Sequence, residues 1–210
     1  GLTMHCSIIP PYMLRRLAAQ REPELSAAAR AAKEALHHVP SFQASRAVPG
    51  RGSHPGLREP RPAPPERTVY DAKFAEQLPG SVVRKEGEPA TGDPAADEAY
   101  DGLGHTHRLY AEAFGRNSID GNGLHLEATV HYGRLYDNAF WDGRQMVFGD
   151  GDGQVFQRFT KSLSVIGHEL AHGVTQYSAG LVYRNQAGAL NESMSDVFGV
   201  LVEQFVQQQP

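Results

Sequence analysis

Two histidines and a glutamate crowd the run Val165-Ile166-Gly167-His168-Glu169-Leu170-Ala171-His172, and further acids follow in Leu190-Asn191-Glu192-Ser193-Met194-Ser195-Asp196. On a helix, residues four apart stand one above the other, so the imidazoles of His168 and His172 can reach one metal ion. Glu169 sits between them, displaced in angle, close enough to hold a water on that metal. The chemistry this suits is metal-assisted hydrolysis, with two imidazole ligands, a further protein ligand and a base that does not ligate.

Such residues need elements that aim them. At about 100° per residue, Phe159, Leu163, Ile166, Leu170 and Val174 fall in one narrow stripe, with His168 and His172 on the opposite side of the cylinder. The predicted helix packs a core with one face and offers two imidazoles with the other. A second helix is predicted from about Leu190 to Gln204, with Met194, Val197, Phe198, Leu201 and Phe205 on its apolar side. Glu192, Asp196 and Glu203 line its other side, with Gly199 in the gap. A solvated acidic stripe is the competing reading. That helix carries no Lys or Arg to pair with the acids, and Gly199 weakens it unless something packs close. A ligand at Glu192, with Asp196 one turn later to orient a ligating imidazole, accounts for the stripe.

The composition narrows the classes. With 210 residues the chain can bury a substantial core, and its net charge of −4 gives no sign of a nucleic-acid partner. No apolar run reaches the roughly 18 residues of a membrane span. The N-terminus shows no classical signal peptide, and the single cysteine, Cys6, permits no intramolecular disulfide, so the compartment stays open.

Residues 1–40 read as a small helical unit. Pro10-Pro11 ends an extended segment and starts a helix with Met13, Leu14 and Leu17 on its apolar side. Pro23 begins a second, Ala-rich helix through about His37. Two such helices bury little alone, so the unit is expected to dock on something larger. Residues 41–67, rich in Pro, Gly and Arg, read as an exposed linker open to cleavage. From Thr68 the chain offers short strands at 68–71, 81–84 and 124–132, a helix from Asp93 to Phe114, and a strand with Asn138-Ala139-Phe140-Trp141 that returns through Met146-Val147-Phe148. Sheet followed by two long helices gives an α+β class. Asp150 and Asp152, in a Gly-rich run, read as turn residues.

The segment from about Thr68 to Glu203 resembles the thermolysin family of zinc endopeptidases. The match rests on His168-Glu169-Leu170-Ala171-His172, Gly180-Leu181-Val182-Tyr183, Asn191-Glu192-Ser193-Met194-Ser195-Asp196, Asn138-Ala139-Phe140-Trp141 and Gly149-Asp150-Gly151-Asp152-Gly153, in that family's order along the chain. The resemblance implies a mixed sheet followed by zinc-ligand helices, and zinc on His168, His172 and Glu192. It implies Glu169 as the base acting on a zinc-held water, with Asn191 and Asp196 supporting the ligands and Tyr183 steadying the oxyanion. Asn138 and Ala139 would take a peptide substrate as an added strand, cleaved on the amino side of bulky apolar residues. The helical unit and linker resemble the short propeptide of protealysin-like precursors, a partner docked on the catalytic domain, where Cys6 is a candidate for the open zinc position.

Two departures stand out. Calcium in the family draws on an acid just before the metal helix and on the acid matching Glu203; here Ser164 holds the first position. The resemblance also implies a C-terminal helical domain, and residues 68–210 read as the N-terminal catalytic domain alone. The rival expectation is therefore a zinc-binding half-domain of weak or no activity.

Overall fold

A computed structural model describes residues 8–38, 62–181 and 185–208 of the chain. Helices α1 (Pro11–Ala18) and α2 (Ser26–His38), joined through a 3-10 turn at Pro23–Leu25, form the N-terminal pair. Strands β1 (Arg67–Asp71) and β2 (Ser81–Lys85) precede the long helix α3 (Pro94–Phe114), and β3 (Leu126–Val130), β4 (Ala139–Trp141) and β5 (Met146–Phe148) follow it. A 3-10 turn at Phe159–Lys161 leads into α4 (Leu163–Tyr177), and α5 (Asn185–Gln207) comes last.

The five strands form one mixed sheet in the order β2-β1-β3-β5-β4. β1 pairs with β2, and β4 with β5, antiparallel; β1–β3 and β3–β5 are parallel. This is the expected α+β class, with β4 at the sheet edge. Helix α3 is bounded as its residues dictate. Asp93 Oδ1 accepts the Ala95 N–H at 2.9 Å, Pro94 opens the first turn, and Gly115 closes the helix at φ +62°, a left-handed position suited to glycine. The main core joins Val69, Leu126, Ala128, Val130, Met146 and Phe148 of the sheet to Leu103 of α3 and Ile166 and Leu170 of α4. No helix among the described residues is long and apolar enough to cross a membrane.

Helices α4 and α5 meet at glycines. A Cβ on Gly199 would stand 2.5 Å from the Ser164 carbonyl oxygen and 3.1 Å from the His168 nitrogen, and one on Gly167 would lie 3.1 Å from the Gly199 Cα. Close packing is the compensation that a mid-helix Gly199 required.

Helix α5 departs from its expected form twice. It begins at Asn185 rather than near Leu190, because Gln186, Ala187 and Ala189 are good helix formers. Its inward face is also the small, polar one: Gly188, Asn191, Ser195, Gly199 and Val202 are buried. Leu190, Met194, Val197 and Val200 are exposed, while Phe198 stacks on Tyr110 with ring centroids 5.4 Å apart. Small side chains let the two backbones approach, and only that approach brings Glu192 within reach of His168 and His172.

The N-terminal pair docks on the rest of the chain, as its size demanded. Leu14, Ala32 and Ala35 are fully buried in a second core with Tyr132, Tyr136, Phe140 and Val147. Burying a side chain such as Leu14 contributes about 1.5–3 kcal/mol, enough to matter for two helices that could not fold alone. Residues 39–61, most of the expected linker, lie outside the described residues.

Candidate metal centre

His168, Glu169 and His172 are buried on α4, and one ligand atom from each lies within 4.8 Å of the others. The two Nε2 atoms are 3.0 Å apart. Glu192, delivered by α5, sets Oε2 at 3.4 Å from His168 Nε2 and Oε1 at 3.6 Å from His172 Nε2. Zinc–ligand bonds of about 2.0–2.1 Å in a tetrahedral site put neighbouring donors about 3.3 Å apart, so these three side chains fit a zinc ion without rearrangement.

The remaining ring nitrogens are occupied. Asp196 Oδ1 lies 2.9 Å from His168 Nδ1, the contact that an imidazole-orienting carboxylate would make. His172 Nδ1 is 2.7 Å from Asn191 Oδ1 and 3.1 Å from Ser195 Oγ. With Nδ1 donating to these oxygens, each ring presents the Nε2 lone pair to the centre. Ser195 was not singled out from the sequence. Its signal was available, since it stands four residues after Asn191 on the buried face of α5. Burial alone would depress the His168 imidazole, but the Glu192 hydrogen bond and the charges of Glu169, Glu192 and Asp196 outweigh it and hold the pKa above its ordinary value.

Glu169 is fully buried, and its Oε2 accepts the Trp141 backbone N–H at 2.9 Å. A strand of the sheet thus fixes one carboxylate oxygen of the candidate base. Trp141 in turn is buried and donates its indole N–H to Gln176 at 3.0 Å, so the residue that lends this backbone contact is itself fixed in the core. No periodicity in the sequence announces a backbone N–H from so distant a segment.

Asn138 and Ala139 flank the same edge, and they are engaged by the chain itself. The Ile8 N–H donates to the Ala139 carbonyl at 3.2 Å. The Ile9 N–H donates to Asn138 Oδ1 at 3.0 Å, and Asn138 Nδ2 returns a bond to the Ile9 carbonyl at 3.2 Å. Residues 8 and 9 therefore hydrogen-bond to Asn138 and Ala139 at the edge of the sheet.

The other expected residues fare differently. Tyr183 and Cys6 lie outside the described residues. Glu203 is partly buried and accepts from Gln207 Nε2 at 3.4 Å, while Ser164 Oγ pairs with Ser162 Oγ at 3.0 Å. Asp150 pairs with His131, and Asp152 Oδ1 accepts the Val155 N–H at 2.7 Å, as turn residues do.

Comparison with known proteins follows the same lines. A family profile described as thermolysin metallopeptidase, catalytic domain, matches residues 64–176, and one described as thermolysin metallopeptidase, alpha-helical domain, matches residues 179–210. His168 and His172 thus fall under one description and Glu192 under the other, and the segment read above as one domain is shared between the two. The chain is 49% identical over 208 residues to an extracellular metalloprotease of Pectobacterium carotovorum subsp. carotovorum, covering 95% of this chain and 56% of that protein. It is 48% identical over 144 residues to thermolysin of Alicyclobacillus acidocaldarius subsp. acidocaldarius, covering 68% of this chain and 26% of that one. Among solved structures it resembles the precursor of protealysin, a metalloproteinase from Serratia proteamaculans. That match has a TM-score of 0.82 at 49% identity and covers 98% of this chain and 57% of the other. The chain spans about half the length of the first of these relatives. With a catalytic-domain match over more than half its residues, the chain belongs to the thermolysin family of metallopeptidases.

Proposed function

We propose that this chain carries the zinc centre of an endopeptidase precursor, with His168, His172 and Glu192 as ligands, Glu169 as general base and residues 1–40 as an inhibitory propeptide. The observation that carries the reading is the convergence of two Nε2 atoms and both Glu192 oxygens at 3.0–3.6 Å, with a buried carboxylate one residue along. Zinc held there would supply a Lewis acid that polarises the scissile carbonyl and lowers the pKa of a water. Glu169, steadied by the Trp141 N–H, is placed to act as the base that would accept a proton from an attacking water and hand it to the leaving amine. Asp196, Asn191 and Ser195 keep the imidazoles in the tautomer that ligates. Tyr183 is assigned to the oxyanion and Asn138 with Ala139 to the substrate backbone, where peptides with a bulky apolar residue after the scissile bond would bind.

The propeptide reading rests on occupancy. Residues 8–9 take the hydrogen bonds of Asn138 and Ala139 that a substrate strand needs. Calcium is proposed at Glu203, and a calcium-dependent rise in melting temperature that Glu203→Gln abolishes tests it. A second reading, a zinc-binding unit of low turnover, draws on the exposed row Leu190, Met194, Val197 and Val200 of α5, an apolar face open to solvent. The experiment is hydrolysis of a peptide with a central Phe or Leu by the zinc-loaded chain with residues 1–61 removed, beside its Glu169→Gln variant. Cleavage before the apolar residue, lost in the variant, supports the enzyme reading. Zinc binding without cleavage favours the second.

A further inference from the structure

Two carboxyl groups lie buried together away from the metal centre. Asp137 has no exposed surface and Asp152 is 7% exposed. Asp152 stands as the carboxyl neighbour of Asp137. Asp152 Oδ1 is used, accepting the N–H groups of Gln154 and Val155 at 2.5 and 2.7 Å. Its Oδ2 and both oxygens of Asp137 are buried without a well-formed hydrogen bond among the described residues, although the Asp152 backbone N–H lies near enough to favour the Asp137 carboxylate a little. Two ionised carboxylates in that position would carry a large desolvation and repulsion cost, which the few backbone N–H groups nearby offset only in part.

The backbone holds them there. The Gly149 N–H donates to the Asn138 carbonyl at 2.9 Å and the Gly151 N–H to the Tyr136 carbonyl at 3.2 Å, bracketing Asp137 from both sides. A Cβ on Gly151 would come within 2.5 Å of the Phe156 carbonyl, so the loop approaches as closely as glycine allows. Each carboxyl also adjoins an anchor of the N-terminal unit. Asp137 precedes Asn138, which grips Ile9. Asp152 shapes the loop that presents Gln154, whose Oε1 accepts the Ala28 N–H at 3.2 Å in the first turn of α2.

We propose that Asp137 and Asp152 share one proton, and that this proton clamps the edge of the sheet to the 149–156 loop and so holds residues 8–38 in their docked position. Asp137 is the acid that donates, and Asp152, whose Oδ1 already accepts backbone N–H groups, is the acceptor. The idea rests on the observed docking and not on whether the docked unit inhibits. Burial, and then the Asp152 neighbour, push the Asp137 carboxyl up to about 9.

The sign of the pH effect follows from linkage. The docked state holds a proton that an opened, solvated Asp137 releases in the ordinary carboxylate range, so docking weakens as pH rises from that range toward about 9 and levels off above it. Other ionisable groups on the packed segments are accounted for. Asp150 is paired with His131 at 2.8 Å, and Arg30, Glu34, Arg134 and Tyr136 line a separate cavity of about 620 Å³. His131 titrates in the same range, so a substitution at Asp137 must isolate the pair.

The test reads tryptic cleavage after Arg30 and Lys33, both exposed on α2, in the full chain carrying Glu169→Gln to suppress self-cleavage. Rates are taken from pH 7 to 10 relative to an unfolded peptide of residues 8–38. The expected wild-type rate rises by up to about tenfold per pH unit and flattens above pH 9, one proton per opening. Asp137→Asn, neutral at every pH and still able to donate to Asp152, should lose that rise; Asp152→Asn, which removes the repulsion, serves if the first fails to fold. Infrared spectra of the unsubstituted chain at pH 7.5 should also show a protonated carboxyl. An Asp137→Asn rise parallel to the parent, no carboxyl band, or release by a chelator at pH 7.5 pointing to a cation between the acids, would each overturn the proposal.

Discussion

In the proposed zinc site each imidazole presents Nε2 to the centre because another group takes its Nδ1. Asp196 does this for His168 at 2.9 Å, and Asn191 does it for His172 at 2.7 Å. Removing either partner frees the ring to turn and to change tautomer. Asp196→Ala and Asn191→Ala are therefore expected to weaken zinc by about 10–100-fold, measured by competition with a chelator. The larger effect should come from Asn191, whose contact is buried, whereas the Asp196 side chain is 75% exposed. At this scale the sequence was most legible. The i, i+4 spacing of His168 and His172 and the unpaired acids on the next helix pointed to the side chains that the structure brings together, Glu192 and Asp196 among them. The Trp141 N–H that holds Glu169 was not legible, because a backbone donor brought in by sheet pairing leaves no mark on residue type.

Helices α4 and α5 act as a unit only through their glycine contact. Gly199→Ala would drive a methyl to 2.5 Å from the Ser164 carbonyl, forcing α5 away from α4 and carrying Glu192 with it. We expect a loss of about 1–3 kcal/mol in denaturant unfolding, together with weaker zinc binding, the two moving in step. The exposed Val197→Ala on the same helix should alter neither by much. A second element-level joint is His131, whose Nε2 meets Asp93 at 2.7 Å and whose Nδ1 meets Asp150 at 2.8 Å. The hydrogen bond to Asp150, joined by that to Asp93, outweighs burial and raises His131 to about 9. Its stabilisation is fully present below the ordinary histidine range and is lost as pH rises through about 9. His131→Gln should flatten the fall of melting temperature between pH 6.5 and 9, read by thermal unfolding. The caps of α3 at Asp93 and Gly115 could be read directly from sequence. The inward face of α5 could not, because the apolar stripe that normally marks the buried side here gives way to small residues chosen for close approach.

For the molecule as a whole, the sequence made docking necessary but left its place open. Two short helices had too little apolar surface to stand alone, yet only the folded chain sets Ile8 and Ile9 along the edge strand beside Asn138 and Ala139. That position makes release measurable. Leu14→Ala empties a fully buried site between α1 and the aromatic cluster of Tyr132, Tyr136 and Phe140, at a cost of about 2–5 kcal/mol. The docked pair should then loosen, seen as faster tryptic cleavage within residues 8–38 while the zinc content of the chain stays the same. Unchanged cleavage would mean that the docking does not depend on this cluster.

Zinc titration of three proteins bears most directly on the central claim: the wild type, Glu192→Gln and Glu169→Gln, each followed by chelator competition at neutral pH. The geometry predicts one zinc per chain for the wild type. It predicts at least about a tenfold loss of affinity for Glu192→Gln, equivalent to about 1.4 kcal/mol, and wild-type affinity for Glu169→Gln, since the base does not ligate. Glu192→Gln binding as tightly as the wild type, or Glu169→Gln losing zinc to the same degree, would contradict the assignment of ligands and base.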